Sequence, residues 1–283
     1  MSATERSLAK TILAYVVALI SAVGLGAGGL LVGFVLTAIT IGVLVVGLSI
    51  TIPATAQIVL SLVFVQGVGC AGVAFTYLKV RPIVGPRIRS LLGFSGIPGP
   101  FDIDASVPDI RQGAIIVGGY VLALGGAFAG SILITILQVD TGTNQAAEMG
   151  MENPEVLLLL IPASILIIGP GEELLFRGVV QGRLREVFGP VVGVLIPSAV
   201  FAGLHWFALT GGSATGNLVA LGVLVGPALV FGASYELTDN IVVPAMIHGI
   251  YNATLFSLLY VVIAFSDQLP DPQNTTTALV SLL

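Results

Sequence analysis

The chain has 283 residues, 56% hydrophobic and 9% charged, with a formal net charge of -5 and a mean hydropathy of +1.06. Those values exclude an ordinary soluble globular domain, and the lack of a basic surface excludes a nucleic-acid partner. The expected fold is all-α: a polytopic transmembrane helical bundle forming one integral membrane domain over residues 1–283.

The N-terminal stretch "MSATERSLAK" contains Glu5, and no small-residue cleavage site clearly follows the apolar run, so it is read as leading into a first anchor rather than as a removed signal peptide. Residues 11–78 contain no Asp, Glu, Lys, Arg or His, and a spanning helix needs only about 20 apolar residues. As a single helix, residues 12–50 would measure roughly 58 Å, nearly two hydrocarbon thicknesses. They are therefore expected to form two spans broken near the glycines of "GLGAGGLLVG" (24–33), with residues 56–78, after Pro53, as a third. The lone Cys70 has no intramolecular disulfide partner and reads as a small buried apolar residue.

Pro and acidic residues between 90 and 111 mark a loop. Hydrophobic segments follow at 113–138, 156–177, 190–209, 217–236 and 241–265. The expected count is about eight spans on length, with seven as the alternative. The glycines of "GGYVLALGGAFAG" (118–130) read as close helix-packing positions rather than a phosphate loop, since no strand precedes them. "NTTT" from Asn274 matches a glycosylation acceptor.

Basic residues collect at 79–89, at Arg111, and at Arg177, Arg183 and Arg185, so those segments are expected on the cytoplasmic side. The stretch from Asp140 to Glu155 holds four acids and no base, as expected on the opposite side. Arg6 and Lys10 favour an inside start, whereas three spans before Lys79 require an outside one.

The chemistry concentrates in the second half of the chain. "GPGEELLFRG" (169–178) puts Glu172 and Glu173 at the end of an apolar run, and the two histidines of the chain, His205 and His248, both lie in apolar segments. Ionisable residues within spans are costly and mark a functional site by default. Glu172 and His205 are equidistant from the turn at Gly189-Pro190, so two antiparallel helices would bring them to one depth. His248 lies about 12 Å along its helix from the turn "LTDN", and all three residues are expected to meet in the cytoplasmic half of the bundle. Glu173 and Arg177 are i and i+4, spaced for an ion pair, while Glu172 points about 100 degrees away. His248 and Asn252 share the i, i+4 spacing and present two donors on one face, and Phe201 sits one turn before His205. A partly desolvated carboxylate and an imidazole holding a water make a hydrolytic site, with a second donor pair for the oxyanion of a tetrahedral intermediate.

At these residues the sequence resembles the CAAX-protease and bacteriocin-processing (CPBP, Abi) family of intramembrane glutamate proteases. The resemblance covers about 155–255, in three ordered motifs: Glu172, Glu173 and Arg177; Phe201 and His205; His248 and Asn252. It implies that Glu172 is the water-activating base, His205 its partner, and His248 with Asn252 the oxyanion donors. Glu173, Arg177 and Phe201 are then structural support. The implied activity is an endopeptidase acting on a membrane-bound protein or peptide, of prenylated CaaX type in eukaryotic relatives.

Two other readings stay open at this stage: a proton- or ion-coupled transporter, in which buried carboxylates and histidines relay charge, and a non-catalytic peptide-binding immunity protein. The favoured reading needs no cofactor. A divalent metal such as zinc is the mechanistic rival, with Glu172, His205 and His248 as three ligands and water as the fourth, although no HExxH motif is present. The expected location is the cell membrane, with the site open toward the cytoplasm.

Overall fold

The computed structural model describes residues 3–92, 102–268 and 276; residues 93–101 of the expected loop and the acceptor Asn274 lie outside them. Apart from a two-residue antiparallel pairing of Thr143–Asn144 with Leu209–Thr210, the architecture is helical. Seven described helices are long and apolar enough to cross a membrane: Leu8–Gly47, Ala54–Arg87, Ile110–Leu137, Pro154–Arg185, Pro190–Ala208, Ala214–Thr238 and Val242–Ala264. They are called the first to seventh spans below.

The count is seven because the first span runs on where a break is expected. The glycines in it are packing positions rather than a hinge. A Cβ on Gly29 would lie 2.7 Å from the Gly69 carbonyl oxygen, and one on Gly33 would lie 2.7 Å from the Phe64 carbonyl oxygen. Gly29 and Gly33 form a small-xxx-small face that lets the backbones of the first and second spans touch. In the later glycine run, close packing holds at Gly119, where a Cβ would meet Ile247 at 2.6 Å, and at Gly130, where one would run into the Val223 side chain; Gly118, Gly125 and Gly126 face open space.

Span ends follow local chemistry. Asp109 starts the third span with a capping box, its carboxylate accepting from the Gln112 amide at 2.7 Å while the Gln112 side chain accepts from the Asp109 amide. Pro154 and Pro190 open the fourth and fifth spans, where a missing N–H costs nothing. Ser213 caps the sixth by accepting from the Gly216 amide.

The fourth span is irregular. Pro162 and Pro170 cannot donate to the α ladder, and the helix switches to π-helical turns over Ser164–Ile168 and Leu174–Gln181. Between them lies the short α turn Gly169–Glu173. Such wide turns are frequent at functional sites; here they frame the two glutamates.

The bundle has two distinct ends. At one, Glu186 pairs with both Arg81 and Arg183, Arg185 pairs with Glu236 at 2.9 Å, and Tyr15 stacks on Phe188. At the other, the Thr143–Asn144 pairing meets the loop after the fifth span, and Glu148 accepts from the Thr210 hydroxyl. With seven crossings, Arg6, Lys10, Lys79 and Arg111 share the first end, which removes the conflict over the N-terminus.

Candidate active site

Two close approaches build the site. A Cβ on Gly169 would lie 2.6 Å from the Ala245 carbonyl oxygen, and one on Gly249 would lie 2.8 Å from the Ile165 Cα. Glycine facing glycine thus seats the seventh span directly on the fourth and lays His248 against both glutamates. Gly171 does the same toward the second span, where the Gln66 carbonyl oxygen would lie 3.2 Å from an added Cβ.

The resulting polar chain is buried. His248 is 3% exposed and Glu173 fully buried. The His248 Nδ1 lies 2.7 Å from Glu173 Oε1, so Nδ1–H donates and the carboxylate fixes the tautomer. On the other edge of the ring, Nε2 lies 3.1 Å from Asn252 Nδ2, which donates to it, and 3.8 Å from Glu172 Oε2. One imidazole therefore sits between two carboxylates. The second oxygen of Glu172, Oε1, accepts from Gln66 Nε2 at 2.7 Å.

The Glu173 and Arg177 pair expected from spacing is present at 3.1 Å and fully buried, though not aligned as a hydrogen bond. Arg177 also donates to the Ala228 carbonyl at 2.8 Å and lies over the Phe201 and Phe231 rings at 4.9 and 5.5 Å. Its charge is thus neutralised and its planar faces are covered, as a guanidinium in an apolar bundle requires. Phe231 stacks on His248 at 4.7 Å, locking the ring plane.

His205 ends the fifth span. Its Nδ1 lies 2.9 Å from the Phe201 carbonyl, to which it donates, and its ring packs 4.6 Å from the Phe201 ring. It makes no direct bond to Glu172. Both instead line a cavity of about 520 Å³ together with Gln66, His248 and Asn252.

Residues 154–254 match the model of the family described as type II CAAX prenyl endopeptidase Rce1-like. Over those residues the chain is similar to that family. No curated protein and no solved structure matches the chain significantly.

The matched stretch contains all seven residues singled out in the sequence: Glu172, Glu173, Arg177, Phe201, His205, His248 and Asn252. The structure bonds Glu173, His248 and Asn252 into one chain, with Glu172 3.8 Å from the His248 ring and His205 lining the same cavity. Gln66, which touches Glu172, lies outside the matched stretch and was missed by reading the sequence. A neutral amide in an apolar helix carries no charge to draw attention; its only signal is its polarity within an otherwise apolar stretch.

Two features bear on the expected roles. His248 and Asn252 do not stand as two free donors, because Asn252 spends one N–H on the His248 ring. The proposed zinc ligands Glu172, His205 and His248 do not converge: among the described residues no group of three His, Cys, Asp or Glu side chains is arranged to hold a metal ion.

The cavity opens at one end of the bundle. Thr37, Gln57, Asn144, Gln145 and Ala208 line it, and all belong to the end of the bundle that carries the Thr143–Asn144 pairing. The clustered arginines are at the other end.

Proposed function

We propose that the chain is an intramembrane endopeptidase that uses Glu172 to activate water against an amide bond of a membrane-held peptide. The observation that carries this reading is the carboxylate itself: Glu172 is only 9% exposed yet lines the cavity, with one oxygen tethered by Gln66 and the other left for a ligand.

With Nδ1–H of His205 given to the Phe201 carbonyl, its Nε2 carries a lone pair. A water bridging Glu172 and His205 would donate a proton to each and turn its own lone pairs toward the substrate carbonyl carbon. As the carbon–oxygen bond forms, Glu172 takes the proton; it then delivers it to the amide nitrogen as the carbon–nitrogen bond breaks. Asn252 has a second N–H beyond the one bonded to His248, and that N–H is the oxyanion donor. His248, oriented by Glu173, aims it, and Gln66 holds the base in place.

The prenylated CaaX peptide of the family's name is the first substrate to test, beside the same peptide unmodified. Purified protein in detergent should cleave at least one of them. Glu172→Gln should lower kcat by about 10²–10⁴ with the thermal transition kept. Full activity in that variant would overturn the assignment of the base.

A further inference from the structure

The charges and the cavity occupy opposite ends of the bundle. Arg6, Lys10, Lys79, Arg81, Arg87, Arg89, Arg111, Arg183 and Arg185 are nine of the ten Lys and Arg residues, and all fall at one set of span ends. The tenth, Arg177, is buried within the fourth span. The connections at the other end, residues 48–53, 138–153 and 209–213, and residues 265–268 after the seventh span contain no Lys or Arg at all. Basic residues close to span ends set orientation, and acidic ones contribute little, so Glu186 and Glu236 at the basic end do not offset them. The basic end therefore faces the cytoplasm, and the cavity mouth at Gln57, Asn144 and Gln145 faces away from it.

The cavity wall adds a chemical limit. No Lys or Arg lines it among the described residues, and the acids Asp140, Glu148 and Glu152 lie in the segment beside its mouth. A substrate with a free carboxylate a few residues past the scissile bond would find no cation to receive it and a negative potential at the entrance.

We infer that the cavity opens on the extracytoplasmic face and takes internal, neutral or basic segments of peptides anchored in the outer leaflet, rather than the carboxyl-terminal tails of cytoplasmic proteins. This rests on the endopeptidase reading for the word substrate; the orientation does not.

Orientation is tested without any cleavage, in intact cells producing the full chain with the buried Cys70 replaced (Cys70→Ala). Gln145→Cys places a thiol at the mouth, and Val107→Cys places one on the exposed segment at the basic end. A membrane-impermeant maleimide should label Gln145→Cys in intact cells and Val107→Cys only after lysis. The reverse pattern would overturn the inference while leaving the hydrolytic assignment untouched. In detergent, a peptide extended or amidated beyond the scissile bond should be cleaved with a lower KM than one ending in a free carboxylate three residues on. The opposite preference would overturn the substrate class alone.

Discussion

Glu172 is held by a residue that lies more than a hundred positions before it. Gln66 donates to one carboxylate oxygen at 2.7 Å while its own carbonyl oxygen is buried without a partner, an unusual cost for a neutral side chain. Such a cost is understandable if the amide fixes the base. Gln66→Leu should therefore lower kcat by up to about a hundredfold, the scale of a misplaced catalytic group, with KM nearly unchanged. Gln66→Glu would put a like charge beside Glu172 and should shift the pH profile of kcat. A Gln66→Leu variant with wild-type kcat would reduce Gln66 to packing.

At this scale the sequence is most legible where a residue is chemically out of place. Two acids and two histidines in apolar runs stand out because water-loving groups are expensive there. The partner of each is less legible. The i, i+4 spacing correctly joins Glu173 to Arg177, but the bond from Glu173 to His248 crosses between spans, and only the glycine contact at Gly169 and Gly249 brings the rings and carboxylates into register. Gln66 has neither charge nor motif.

Elements meet in this bundle where side chains vanish. A hydrophobic driving force does little between helices already in lipid, so close approach at small residues supplies the packing. That logic separates glycines that look alike in the sequence. Gly249→Ala would push a methyl to 2.8 Å from the Ile165 Cα, whereas Gly125→Ala meets nothing within 4 Å. The first should cost about 1–3 kcal/mol, as overpacking does, and should depress activity even where the protein stays folded, because it shifts His248 from Glu172. The second should be neutral. Thermal melts and turnover of both variants in detergent check the contrast; equal effects would refute the role of the contact. The same reasoning explains why, of the two counts expected from length, about eight and seven, the described residues show seven. Length alone reads a glycine run as a hinge, but a Gly29 and Gly33 face matched by Gly69 on the next span is a docking surface, and the sequence does not say which neighbour a glycine meets.

On the scale of the whole molecule, stability and chemistry are separated along the bundle axis. Glu186 receives Arg81 from the second span and Arg183 from its own, and all three side chains are nearly buried, so the cluster pins the second and fourth spans together at the basic end. The cavity draws on the same two spans from the other end, through Gln66 and Glu172. Glu186 is about 14 residues, roughly 21 Å of helix, from Glu172, and its charge is balanced locally by Arg81 and Arg183. Glu186→Ala leaves two guanidinium groups without their shared carboxylate, and breaking a buried pair in this way costs on the order of 3 kcal/mol. The expected result is a clear fall in the melting temperature in detergent with kcat unchanged at a temperature where the variant remains folded. If kcat falls while the melting temperature holds, the two ends are mechanically coupled, and the basic cluster belongs to the working parts of the site rather than to its foundation.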